Sequence, residues 1–420
     1  AFIERPPIHQ QRAVKLGDRL PHHNGFPRLM DFTLSPDLLE LQDRVRDFIA
    51  REVIPLEHDP RQDSHGPSAE LCQELQDKAK HAGLWSLHAP ERYGGSGLSH
   101  LGRSVLLEAA GYSLLGPIAL NVMPGEGDHH MLDAIATEAQ KERWLRPLID
   151  GSQKSTFAVT EPDNGAGADP NRMLTTAVPD GDDFLLTGRK WLITTFRDAA
   201  FHIIMAQTHD NRGAALGATM FVVDAGSPGL REVRRLDMLD DMFPGGHSEI
   251  ELEQVRVTPD RILGEVGQAF RYAQVRLCPA RLTHCMRWLG AAQRAHDVAL
   301  KYAKWREAFG KPIAEHQGVS FQLADNAMDL HHCRLSVQHA AWLLDQGEQA
   351  RTETSMCKVY CSEKLGDVVD RAMQILGGMG SSNDFPVMRI YRNIRAFRLY
   401  DGPSEVHRWS LARTLLKQSD

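Results

Sequence analysis

Close to its C-terminus the chain reads Tyr400-Asp401-Gly402-Pro403-Ser404-Glu405, a carboxylate followed by a flexible glycine. A carboxylate on such a loop, facing a planar electron-accepting ring, is placed to abstract a proton. Earlier stands Gln374-Ile375-Leu376-Gly377-Gly378, where glycines after a helix let backbone amides approach phosphate or ribose. The same glycines serve equally as a plain helix stop. Arg306-Glu307-Ala308-Phe309-Gly310-Lys311-Pro312, with Gln317 beyond it, sets a guanidinium and an ammonium where a long helix breaks. That pattern suits a pyrophosphate clamp, and it also suits cations gathered at the negative end of a helix dipole.

Two further segments offer groups to a flat heterocycle. Thr160-Glu161-Pro162 precedes Asn164-Gly165-Ala166-Gly167-Ala168-Asp169, so a hydroxyl and exposed backbone donors cluster where an apolar strand ends. An ordinary glycine-rich turn looks the same. Trp191-Leu192-Ile193-Thr194-Thr195 combines ring-sized apolar surface with hydroxyls on one short strand, as half-buried strands often do. The histidines His129, His130, His296, His331 and His332 have no metal-ligand spacing with cysteine or carboxylate. Cys357 and Cys361, four apart on a helix, can meet a metal, but Met356 and Tyr360 beside them suggest packing.

The elements that must position these groups follow from periodicity. Ser35-Pro36 is a cap and first-turn proline, after which Leu38, Leu41, Val45, Phe48 and Ile49 recur at helical spacing. Thr137 with Gln140 has the form of a capping box. From about 155 to 257 the texture turns to short β-rich runs broken by Gly, Pro and Asp, with Ile250 and Leu252 alternating against Glu249, Glu251 and Glu253. Helical periodicity returns after Gly267 in long stretches, 269–306, 319–344 and 352–376. The expected architecture is mainly α with a central β-domain: an N-terminal arm (1–34), an N-terminal helical domain (35–154), a middle β-barrel-like domain (155–266) and a C-terminal four-helix bundle (267–420).

A chain of 420 residues with 42% hydrophobic and 25% charged residues has the composition of a soluble globular protein of several subdomains. A net charge of -7 opposes general affinity for nucleic acid, and no apolar run is long enough for a membrane span. Six sparse cysteines point to reduced thiols in a cytoplasmic setting, or in the mitochondrial matrix after loss of a presequence.

Taken in order, Thr160-Glu161-Pro162, Lys190-Trp191-Leu192-Ile193-Thr194, Phe309-Gly310-Lys311-Pro312-Ile313, Gln374-Ile375-Leu376-Gly377-Gly378 and Tyr400-Asp401-Gly402-Pro403-Ser404-Glu405 resemble the acyl-CoA dehydrogenase flavoproteins. The resemblance spans about 35 to 415 and is nearest to a branch with aspartate in place of the usual catalytic glutamate, with an Asp-Gly-Pro-x-Glu-Val-His ending. It implies FAD, an acyl-CoA substrate, a homodimer or homotetramer, an electron-transferring flavoprotein as acceptor and a role in fatty acid β-oxidation. Phe157, Val159, Thr160, Leu192, Ile193 and Thr194 then face the flavin. Arg306, Phe309, Gln317, Gln374, Gly377 and Gly378 reach the flavin of a neighbouring subunit, and Ser404 and Glu405 belong to the last loop touching it. Asp401 becomes the base that takes the α-proton while flavin N5 accepts hydride from Cβ, giving a trans-2-enoyl-CoA. Arg281 supports it, and Ala168, Arg281 and Gly402 border the substrate.

Three departures stand out: Leu192 with Trp191 beside it replaces the flavin-wall tryptophan, Ala168 replaces a substrate-contacting serine, and the segment after Glu161 is longer. Together with the shorter aspartate they suggest a bulky or hydroxylated acyl chain. The alternatives are a flavin oxidase, of acyl-CoA or nitroalkane type, and a silent flavin- or acyl-CoA-binding protein.

Overall fold

A computed structural model describes residues 33–418, so the expected arm at 1–34 lies, but for its last two residues, outside them. The first helix, α1 (Pro36–Phe48), starts as its sequence predicts, with Ser35 Oγ accepting from the Leu38 N–H at 3.3 Å. It is followed by α2 (Ala69–His81), α3 (His100–Gly111) and α4 (Glu126–Ile135). The Thr137/Gln140 capping box forms, and the turns it opens end at Gly151 in a left-handed conformation.

Eight strands then make one sheet: β1 (Ser155–Ala158), β2 (Thr176–Asp180), β3 (Asp183–Thr194), β4 (Phe201–His209), β5 (Ala215–Asp224), β6 (Leu230–Leu236), β7 (His247–Val257) and β8 (Ile262–Leu263). Their order is β8-β5-β4-β2-β3-β7-β6, with β1 parallel to β4. The two ends of this path do not pair, so the sheet is open and the barrel-like closure expected from short strands does not occur. Ile250 and Leu252 are buried as their alternation requires. Glu249 departs from the pattern: it is 3% exposed, held by Arg189 and Arg234.

The C-terminal part is built on α5 (Ala269–Trp305), α6 (Gln317–Asp345) and α7 (Arg351–Leu376), completed by α8 (Pro386–Ala396) and α9 (Ser404–Gln418). Helix α5 crosses α3 at backbone contact: a Cβ at Gly290 would lie 2.0 Å from the Glu108 carbonyl, and one at Gly111 2.0 Å from that of Arg287. No bulkier residue fits either position, and the crossing fixes the middle of α5. Among the described residues no helix is long and apolar enough to cross a membrane.

Burial pushes His129, His202 and His407 each down to about 4. Unfolded, they titrate near 6.5, so between those values the unfolded chain binds more protons. Their contribution is present above pH 6.5 and is lost as the pH falls toward 4. Each should cost about 1–2 kcal/mol at pH 5, and calorimetry should show the melting temperature falling by several degrees between pH 7 and pH 5.

Candidate active site

Asp401 sits in the loop between α8 and α9 with φ 53°, a left-handed conformation that aspartate tolerates, and Gly402 follows at φ 98°. Cations and donors from three helices pin the loop's carbonyls. Arg281 Nε donates to Asp401 O at 2.9 Å, and Lys358 Nζ on α7 donates to Gly402 O at 3.0 Å and Phe397 O at 2.7 Å. His407 Nε2 lies 3.2 Å from Asp401 O. Burial lowers Lys358 to about 8, which leaves it largely charged at neutral pH.

The Asp401 side chain is 19% exposed, and its Oδ2 meets His284 Nε2 at 2.8 Å. Burial alone would raise this carboxyl. The hydrogen bond from His284, with Arg276 and Arg281 nearby, outweighs burial and holds it well below the usual carboxylate range. Asp401 is therefore ionised, the state a base requires. Arg287 reaches the same group from beneath: its Nε donates to His284 Nδ1 at 3.1 Å and its NH2 to the Tyr400 hydroxyl at 2.7 Å, which also accepts from Trp288 Nε1 at 2.7 Å.

On the sheet side, Phe157, Val159 and Thr160 end β1 and the loop beyond it, and all three are half-buried. The Trp191 N–H donates to Thr160 O at 2.8 Å, which brings the two expected ring-facing segments together. Between Lys190 and Ile193 the β3–β7 register shifts, and Leu192 takes φ 60°. That bulge re-aims Leu192 and Thr194 but turns Ile193, at 1% exposure, into the sheet core. Of Ile193 only the backbone is then left to meet a ring placed against this strand. Thr194 Oγ1 lies 3.0 Å from His247 Nδ1, so a buried imidazole partners this hydroxyl, and His247 Nε2 is 3.4 Å from Asp240. Arg276, ion-paired to Asp128 at 2.6 Å, stacks 4.3 Å from the Phe157 ring and links the sheet to α5.

The glutamate of Thr160-Glu161-Pro162 has a structural task. Its carboxylate accepts from the N–H groups of Ala166 at 3.0 Å, Leu174 at 2.6 Å and Thr175 at 2.8 Å, and pairs with Lys190 at 2.9 Å. Ala168 rides exposed on the loop so anchored.

The remaining predicted residues lie elsewhere on the chain. Arg306, Phe309, Gln317, Gln374, Gly377 and Gly378 are exposed, and none bonds to or stacks on the groups above. The break after α5 is a small hairpin, Glu307–Ala308 against Lys311–Pro312, that holds Phe309 97% exposed at its tip. At Gly377 and Gly378 a Cβ would meet nothing within 4 Å, so the backbone there is open to a ligand. Ser404 is buried at the start of α9, and Glu405 is exposed.

His284, Arg287, Arg276, Lys358, His247 and Asp240 were not singled out from the sequence. A signal existed for two of them, since 281, 284 and 287 follow one another at helical spacing on one face of α5. The sulfurs of Cys285, Cys357 and Cys361 lie within 4.8 Å of one another, fully buried, and burial raises the Cys285 thiol well above its usual range.

A flavin dinucleotide fits this donor set. Trp191 Nε1 and Thr195 Oγ1, on the segment that carries Thr194, are buried without a hydrogen-bond partner, and elsewhere on the chain the exposed Arg306 guanidinium and the open Gly377 and Gly378 suit a pyrophosphate.

Comparison with known proteins finds three family models along the chain: the acyl-CoA dehydrogenase N-terminal domain at 35–152, middle domain at 156–255 and C-terminal domain at 267–416. A Mycobacterium tuberculosis protein named "Probable acyl-CoA dehydrogenase FadE2" is 37% identical over 93% of this chain and 98% of its own length. The caffeyl-CoA reductase-Etf complex subunit CarC of Acetobacterium woodii is 37% identical over 84% of this chain and 92% of its own. The solved structure of butyryl-CoA dehydrogenase from Megasphaera elsdenii superposes with a TM-score of 0.81 at 30% identity, covering 92% of this chain and all of that one.

Proposed function

Because this chain belongs to the acyl-CoA dehydrogenase family, and is thus an FAD-dependent oxidoreductase acting on acyl-CoA, we propose that Asp401 is its catalytic base. The observation that carries this is the ionised, loop-borne carboxylate held by α5, with Phe157 connected to the same helix through Arg276.

When bound, FAD supplies the acceptor for the hydride that leaves Cβ. The protein's part is to make the α-proton removable. A thioester α-carbon is a weak acid, so its carbonyl oxygen must be polarised as the proton departs. The Asp401 N–H, which meets no acceptor among the described residues, supplies a donor for that oxygen. The Cα–H bond breaks with its proton going to the Asp401 carboxylate, the Cβ–H bond breaks with its electron pair, and a trans-2 double bond remains. Arg281, Lys358 and His407 act on the loop's carbonyls and so hold both the carboxylate and the N–H in place.

Aspartate reaches about 1.5 Å less far than glutamate, and a misplacement of that order costs roughly 100-fold unless the substrate sits closer. With the small Ala168 on the loop, this favours a bulky or hydroxylated acyl chain. The exposed Arg306, Phe309, Gln317 and Gln374 would complete the cofactor site of a second subunit, and an electron-transferring flavoprotein is the proposed acceptor, as the name of the Acetobacterium relative suggests.

The test is anaerobic titration of the FAD-loaded protein with straight-chain, branched and hydroxylated acyl-CoAs. Loss of oxidised-flavin absorbance with at least one of them is expected; no bleaching with any would overturn the reading. Peroxide formed in air without an added acceptor would instead identify an oxidase.

A further inference from the structure

Resting on Asp401 as the base, we propose that His284 is its positioning residue, a neutral imidazole whose Nε2–H fixes Oδ2 and leaves Oδ1 to take the proton. The tautomer follows from the neighbours. A guanidinium can only donate, so Arg287 Nε at 3.1 Å makes His284 Nδ1 an acceptor and leaves the ring proton on Nε2, 2.8 Å from Asp401 Oδ2. Among the described residues nothing donates to Oδ1.

The ring itself cannot swing. It meets Tyr400 edge-on at 4.9 Å between centroids and Phe397 at 6.2 Å, and Tyr400 is held by Arg287 and Trp288. Burial, then the positive charge of Arg287, pushes His284 down to about 4. It thus stays a neutral donor through the working pH range and does not compete as an acid.

A short carboxylate on a left-handed loop has a particular need of such a partner. Arg281, Lys358 and His407 grip only main-chain carbonyls of the loop, and Arg276 acts on the carboxylate through its field. Among the described residues, His284 alone touches the carboxylate itself. The charged groups around the pair are Arg276, Arg281 and Arg287 on α5, Lys358 on α7 and His407 and Glu405 on α9, with Tyr400 in the loop and Asp240 between β6 and β7. Of these, His407, lowered first by burial, meets the Asp401 carbonyl oxygen at 3.2 Å.

The experiment compares H284N with H284Q in the FAD-loaded protein. Asparagine keeps an acceptor near Arg287 but cannot reach Oδ2; glutamine places an amide N–H near the position of Nε2. With the most active acyl-CoA, H284N should lose about 10- to 100-fold in kcat with KM little changed. The acidic limb of its kcat profile should move to higher pH by about one unit, since the carboxylate loses a donor to its charged form. H284Q should recover most of both. If H284N does not retain FAD, H284L, of similar volume, takes its place. An unshifted limb and wild-type kcat in the donor-less variant would overturn the positioning role while leaving the base intact. Bleaching by an Asp401→Asn protein would instead remove the base, and this inference with it.

Discussion

The Asp401→Asn protein is expected to fold, bind FAD and bind acyl-CoA, and to bleach its flavin about 10^3- to 10^4-fold more slowly than the unaltered chain. The substitution is nearly isosteric. The amide oxygen can still accept from His284 Nε2, now at 2.8 Å from Oδ2, and the loop's grip through Arg281, Lys358 and His407 acts on carbonyls that the change does not touch. What disappears is the lone pair of a charged oxygen able to hold a proton. Stopped-flow bleaching read beside FAD content separates the two effects, and a variant that bleaches at the wild-type rate would show that the α-proton goes elsewhere. Among the described residues no other carboxylate shares the hydrogen-bonded cluster around His284 and Arg287, so such a result would leave the mechanism without a base.

Much of the architecture was legible because it is written locally. The cap at Ser35-Pro36, the capping box at Thr137 and the three long helical stretches depend on residues within a few positions of each other, and each formed where its periodicity placed it. The link between Arg281 and the Asp401 loop was legible only through a resemblance, since the bond between them joins positions 120 apart and no local pattern encodes it. His284 and Arg287 were missed for a different reason. They read as ordinary polar residues on a long amphipathic helix, and only the crossing of α3 at Gly111 and Gly290, together with the return of the chain at Tyr400, shows that this face is buried. Sheet closure likewise depends on what its edge strands meet, which strand texture does not reveal. Glu249 shows the same limit at one residue: alternation assigns it to solvent, and two arginines from neighbouring strands fold it in.

The second large effect is expected at Glu161, whose motif suggested a ligand contact and whose geometry shows an anchor. Its carboxylate and Lys190 are both buried, at 1% and 0% side-chain exposure, and burial draws Lys190 down to about 8 while Glu161, despite burial, is held near 2 by Lys190 and three hydrogen bonds. Glu161→Ala leaves an ammonium without its counter-ion and the N–H groups of Ala166, Leu174 and Thr175 without an acceptor. Removing one partner of such a pair costs about 3–5 kcal/mol, because the other stays buried and unpaired. Chemical denaturation should show that loss in Glu161→Ala, and a loss of similar size in Lys190→Met. The double variant should be less destabilised than the sum, since with both charges gone neither is left uncompensated. FAD retention should fall in step, because Lys190 Nζ also holds Val159 O at 3.1 Å and Trp191 holds Thr160 O, the two carbonyls that aim this edge of the sheet. If Glu161→Ala kept full stability but lost FAD, the glutamate would be a ligand contact after all. Full stability with full FAD would mean that the loop is carried by its glycines and by Trp191 alone.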